Sequence, residues 1–231
     1  MKSGKTNLIN KKQNKVNTKE NIMFDVLNNT EEFYEGNLWY YFGIIFNAPN
    51  VDNPYHNFRH LMHVTCTVYI AGKYMNYHKE FGKESFRALL IAAMFHDYGH
   101  SGIMGNDKAE VDRSISEMKK HLLPHDSDFV DQIETFIRAT QFPYVECEQN
   151  LGTDIIRDAD MSPLFDDVWI QQVIFGIAKE MRVSPRKMLE NQLIFIPSMI
   201  FHTKWAKEKF LPMIEIRLME TQKMLNEIKK I

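Results

Sequence analysis

The stretch Ala88-Leu89-Leu90-Ile91-Ala92-Ala93-Met94-Phe95-His96-Asp97-Tyr98-Gly99-His100 decides how this chain is read. An unbroken apolar run ends in a His-Asp pair, and a glycine turn then leads to a second histidine. The run reads as a helix over about residues 83–96. A neutral imidazole binds a divalent ion through one ring nitrogen. The adjacent carboxylate adds a hard oxygen ligand and, having two oxygens, can bridge two ions. A helix that opens into the Gly99 turn sets both groups at the rim of a buried pocket. The competing reading is a plain helix C-terminus, where histidine suits the negative end of the dipole. The pair alone does not choose between the two.

Two more pieces bear on that choice. Upstream stands Tyr55-His56-Asn57-Phe58-Arg59-His60. His56 and His60 are four apart, so on a helix they share one face. They follow a proline-containing loop and lead into the apolar segment Leu61 to Ile70, which turns that face inward. A surface pair remains the alternative. His56, one turn from a metal histidine, reads as a proton donor, with a metal ligand or a core histidine as the other readings. Downstream stands Arg157-Asp158-Ala159-Asp160-Met161-Ser162. Asp160, at the edge of the next structural unit, is the candidate ligand, and Asp158 reads as part of a solvated acidic turn. Arg59 is expected to point outward into a salt bridge.

The rest of the chain predicts an all-α fold, a compact multi-helix bundle. Apolar residues recur at helical spacing over about 31–47, 57–77, 107–121, 126–141, 168–181, 185–201 and 204–229. No segment alternates with period two. Asn47 to Pro54 is a loop, because prolines and asparagines break any period there. Ser162-Pro163 and Ser184-Pro185 read as helix starts, serine capping and proline at the first helical position. Pro197 is expected to kink its helix. Residues 1–20, rich in Lys and Asn with Glu20 the one acid, read as a mobile polar tail, and 21–231 as a single catalytic domain.

Composition bounds the function classes. With 231 residues, 44% hydrophobic and 25% charged, the chain can bury a sizeable core. A net charge of −2 suggests neither a nucleic-acid surface nor an anionic membrane as partner. Cys66 and Cys147 are too few for a disulfide framework, which points to a reduced, cytoplasmic setting. No apolar run is long enough to span a bilayer, and the N-terminus lacks a secretory apolar core. Oligomeric state is not legible.

Taken together, the order His…His-Asp…Asp resembles the HD superfamily of metal-dependent phosphohydrolases. Asn53-Pro54-Tyr55-His56-Asn57-Phe58-Arg59-His60 is similar to the signature of class I 3′,5′-cyclic nucleotide phosphodiesterases. The 36 positions from His60 to His96 are the interval of that family. Ala159-Asp160-Met161-Ser162-Pro163 resembles its Ala-Asp-Leu-Ser motif. Glu190-Asn191-Gln192-Leu193-Ile194-Phe195-Ile196 resembles the stretch that grips and stacks the purine. The resemblance spans roughly residues 40–215. It departs from the family in three places. His63 stands where the family carries an aspartate. Only 60 positions separate His100 from Asp160, about half the span in the animal enzymes. The segments Gly102 to Asp107 and Thr140 to Tyr144 look like those of shorter microbial HD proteins.

The resemblance implies roles. His60, His96, Asp97 and Asp160 would hold a first ion (zinc, iron or manganese), and Asp97 would share a second (magnesium or manganese). A hydroxide between the ions would attack phosphorus, His56 would protonate the leaving oxygen, and His100 would lie near the second ion. Gln192 would hydrogen-bond the base, Phe195 would stack on it, and Tyr55 would face substrate. The expected activity is hydrolysis of cAMP or cGMP to the 5′-monophosphate, with a small-molecule nucleotide as partner. Two alternatives remain open: a phosphohydrolase of another nucleotide (a nucleoside monophosphate, dNTP or alarmone), and a non-catalytic nucleotide-binding protein.

Overall fold

The computed structural model describes residues 19–28, 32–103, 105–144 and 149–229. Among them every regular element is helical. In chain order these are α1 (Lys19–Asn28), α2 (Trp39–Phe46), α3 (Phe58–Tyr74), α4 (Tyr77–Phe81), α5 (Lys83–Phe95), α6 (Asp107–His121), α7 (Val130–Ala139), α8 (Leu151–Asp160), α9 (Ala178–Glu180), α10 (Pro185–Ser198) and α11 (Lys204–Ile228). No described helix is long and apolar enough to cross a membrane. The polar tail read at 1–20 and Cys147 fall outside the described residues, apart from the start of α1 at Lys19. Cys66 is half-buried, and burial pushes its thiol up to about 12.

The apolar run that opens the sequence argument is the centre of the molecule. Every residue of α5 from Ser85 to Phe95 is buried, because α2, α3, α4, α6, α7 and α8 all pack around it. That surround explains a run with no polar face. Helices α3 and α8 pack on α5 and on each other. The first turn of α3 carries His60, α5 ends at His96, and α8 ends at Asp160. One packing arrangement therefore gathers three helix termini.

Several helix ends depart from the sequence reading. The helix read at 31–47 begins only at Trp39. The chain before it turns at Gly36 (φ 69°), and Arg87 takes the carbonyls of Glu35 and Asn37 as acceptors at 3.0 and 3.1 Å. Ser184 does cap α10 by accepting from the Lys187 N–H. Ser162 does not cap; it opens a 3₁₀ turn, Ser162–Phe165, and its Oγ donates back to the Ala159 carbonyl at 2.6 Å. Pro197 is the penultimate residue of α10, so it ends that helix rather than kinking it. The segment read at 168–181 is π-helical over Ile170–Ile177 before the short α9.

A buried ion pair ties α5 to the connection before α7. Arg87 Nε and Nη2 donate to the Asp126 carboxylate at 2.7 and 3.0 Å, and the Tyr41 hydroxyl donates to it at 2.7 Å. Burial pushes the Asp126 carboxyl up, but Arg87 and Tyr41 outweigh it and hold it below the ordinary value. A depressed folded-state pKa stabilises fully above the unfolded value, about 4, and that contribution fades as pH falls through the folded value. Asp126→Ala leaves Arg87 buried without its partner and is expected to cost about 3–5 kcal/mol at pH 7. Urea unfolding of both proteins from pH 7 to pH 3 checks this, and the gap between them should narrow below about pH 4.

Candidate active site

His60 and His96 face each other across the junction of α3 and α5, with their Nε2 atoms 3.1 Å apart. Both side chains are buried. His96 Nδ1 lies 2.8 Å from the Ala93 carbonyl, which can only accept, so Nδ1 carries a proton and the Nε2 lone pair points into the site. Asp97 Oδ2 is 3.1 Å from each of the two Nε2 atoms. Asp160 Oδ1 is 3.1 Å from His60 Nε2 and 3.5 Å from His96 Nε2. Ligands about 2.0–2.2 Å from one ion lie roughly 3–3.5 Å from each other, so these spacings fit a shared cation.

The electrostatics fit as well. Burial pushes the Asp97 carboxyl up, yet His96 and His56 hold it well below its ordinary value. Burial also raises Asp160, but its bonds to His60 and His96 bring it to about 2. The two partly buried carboxylates thus stay ionised beside the imidazoles, and a donor set of this charge is able to hold a divalent ion.

Loop packing sets the approach to the centre. Asn57 caps α3 by accepting from the backbone N–H of Arg59 and His60, and its own amide donates to the Asn53 carbonyl at 2.7 Å. Asn53 in turn donates to the His100 carbonyl at 2.7 Å. Buried Asn50 bonds the carbonyls of His56 and Asp97 at 2.8 and 3.0 Å, and accepts from the Gly99 N–H at 3.0 Å. Gly99 has φ 73°, a conformation that suits glycine and lets the chain turn back under Asp97. Arg59 is exposed, as expected, but it forms no salt bridge among the described residues.

A second cluster, His56, His100 and Glu180, adjoins the first. The rings of His56 and His100 stack at 3.8 Å. His56 Nδ1 is 2.5 Å from Glu180 Oε2, while Glu180 Oε1 accepts from the backbone N–H of Tyr55 and His56 at 2.8 and 3.0 Å. Burial pushes the His56 imidazole down, but Asp97, Glu180 and Asp160 outweigh it and raise its pKa. His100 Nδ1 accepts from the Gly102 N–H at 3.0 Å; burial and the neighbouring His56 push this imidazole down. One histidine is thus biased to keep its proton and the other to lose it. Tyr55 is buried, its ring on His60 with centroids 4.6 Å apart.

A family model described as 3′5′-cyclic nucleotide phosphodiesterase matches residues 55–113. The chain carries a cyclic nucleotide phosphodiesterase-like domain. It is a hydrolase of that kind, and the metal dependence of the family agrees with a His/Asp group able to hold an ion. The matched segment includes His56, His60, His96, Asp97 and His100, and ends before Asp160, Glu180 and Gln192. No curated protein matches the chain.

Other residues of this phosphodiesterase-like domain were misread or missed from sequence. Asp158 is not in a solvated turn. It is 1% exposed and accepts from the backbone N–H of His202 and Thr203 at the start of α11. Alternate residues of one helix end therefore serve different tasks, with Asp160 toward the histidines and Asp158 toward α11. Glu180 was missed because no motif marks a glutamate 124 positions from His56. His63, in place of an aspartate, bonds Ser162 Oγ at 2.8 Å and ties α3 to the turn after Asp160. Gln192 is buried, with its Nε2 on Met188 Sδ at 3.4 Å and its Oε1 without a partner among the described residues. The Phe195 ring meets Phe142 edge-on at 5.8 Å, and the Phe142 N–H donates to Asp107 at 2.6 Å. The segment before α8 thus walls the Phe195 side.

Zinc or manganese at 100-fold excess over its Kd is expected to stabilise the chain by about 2.7 kcal/mol. Asp160→Asn keeps the shape and loses one charged ligand, so most of that gain should vanish. Thermal melts with and without metal, together with bound-metal analysis, check this.

Proposed function

We propose that residues 21–231 form one catalytic domain that hydrolyses a purine 3′,5′-cyclic nucleotide, cAMP or cGMP, to its 5′-monophosphate. The observation that carries this reading is the His56–Glu180 pair beside the His60, His96, Asp97 and Asp160 group. A phosphodiester needs a proton on its leaving oxygen, and a raised-pKa imidazole next to a metal centre is suited to supply it.

In this reading His60, His96, Asp97 and Asp160 would hold a first ion, zinc, iron or manganese, and a second, magnesium or manganese, would bind beside it. Bound divalent ions lower the pKa of coordinated water to about 7 and neutralise phosphate charge. His56 gives its proton from Nε2 to the departing 3′ oxygen, because Nδ1 is engaged by Glu180. Glu180 fixes the ring orientation and stabilises the imidazolium, and the paired carboxylate favours the charged form. His100, stacked on His56 and biased toward neutrality, uses Nδ1 to accept from Gly102, so its proton stands on Nε2 and is suited to donate a hydrogen bond. Gln192 reads the base: its buried oxygen lacks a partner among the described residues, and an amide that both donates and accepts matches either purine edge. Phe195 stacks on the base, and Tyr55 packs His60 in place from the substrate side.

Incubation of the metal-loaded protein with cAMP, cGMP and a panel of mononucleotides tests the proposal. A 5′-monophosphate is the expected product. Free phosphate in place of it, from any substrate in the panel, overturns the reading in favour of a phosphomonoesterase. His56→Ala should lower kcat by about 10²–10⁴ and leave bound metal unchanged.

A further inference from the structure

Glu180 reaches His56 from a helix that belongs to neither the signature loop nor the metal-bearing helices, so something must fix that helix against the loop. Gly176 stands one turn before Glu180 at the end of the π-helical stretch Ile170–Ile177. A Cβ on Gly176 would lie 2.8 Å from the Pro54 carbonyl oxygen and 3.3 Å from the Tyr55 Cβ. The helix backbone therefore rests on the loop backbone with no room for a side chain. Four residues on, the Glu180 carboxylate takes the Tyr55 and His56 N–H groups and the His56 ring. Both contacts fall on the same short stretch, Pro54 to His56. Extra-residue turns of π type are frequent where a helix must re-aim a functional side chain.

We propose that Gly176 is a positioning residue that sets the reach of Glu180 to His56 by holding the π-helical stretch in backbone contact with Pro54. This rests on the reading of His56 as proton donor. Gly176 touches no reacting atom, and its role is to fix distance. Any side chain here lifts the helix off the loop and withdraws the carboxylate. The helix is also unable to advance, because the backbones already touch, so a shorter acid at position 180 falls short.

Gly176→Ala, Glu180→Gln, Glu180→Asp and the double variant Gly176→Ala/Glu180→Gln test this in the metal-loaded protein. Gly176→Ala should lower kcat for the cyclic nucleotide by roughly 10-fold or more with KM and bound metal unchanged, the size of a weakened acid rather than a lost site. The double variant should be no slower than Glu180→Gln alone, since the two act through one contact. A readout independent of turnover is the downfield proton resonance of the short His56 Nδ1–H bond, assigned by its loss in His56→Asn. It should be lost in Gly176→Ala and in Glu180→Asp alike. An unchanged resonance in either variant, or losses that multiply in the double variant, overturns the proposal. Should the native chain turn over neither cAMP nor cGMP, the cyclic-nucleotide reading fails and the resonance still decides the role of Gly176. Glu180→Asp keeps the test decisive even if Gly176→Ala does not fold.

Discussion

Two imidazole nitrogens pointing at each other across 3.1 Å are the constraint around which this protein is arranged. Both rings are buried, so whatever stands between these nitrogens, a shared proton or a cation, must come from within the site rather than from bulk water. Asp97 and Asp160 bring negative charge to the same point, and the set becomes favourable around a cation. Such a group is useful only if its donors stay put. Three helix ends must therefore meet with little freedom, which is why α3, α5 and α8 pack mutually and α5 is apolar on every side.

Around this centre the chain spends many polar side chains on backbone. Asn50, Asn53 and Asn57 bond carbonyls and N–H groups of the loops that carry His56, Asp97 and His100. Loop backbone cannot satisfy itself as a helix does, and each buried group left unpaired carries a cost. Asparagine suits the task because one side chain donates and accepts at once. His63 and Ser162 do the same for the turn after Asp160. Glu180 goes further, since its carboxylate bonds backbone and imidazole together and so couples loop position to the proton of His56.

The chemistry is unevenly spread along the chain. The segment that matches the cyclic nucleotide phosphodiesterase model, residues 55–113, carries His60, His96 and Asp97, three of the four residues grouped so that they could hold an ion. Asp160, Glu180 and the residues around Phe195 lie beyond it. The Phe142 ring lies against Phe195, and Asp107 of α6 holds the Phe142 N–H. The Asp97 and Asp160 charges help burial raise the Asp107 carboxyl, so this wall lies within the field of those two carboxylates.

The sequence by itself determined the helical class and the boundaries of α3, α5 and α6 to within a few residues, and it singled out His60, His96, Asp97 and Asp160, which the structure brings together as a group able to hold an ion. Those features are local or periodic: an apolar run, an i, i+4 histidine pair, a His-Asp step at a helix end. It did not reveal α8 before Asp160, although Asn150 and Thr153 form a capping box there and Ile155, Ile156 and Ala159 line its buried face. The helix read from 31 was cut short at Trp39 because Arg87, far along the chain, claims the carbonyls before it. Asp158 read as solvated because its partners, the N–H groups at the start of α11, are 44 and 45 positions away. Only the tertiary structure chose Glu180 as the partner of His56 and Gly176 as the point where its helix rests on the loop. Such pairings depend on how close two backbones come, and no short-range pattern of residues encodes that distance.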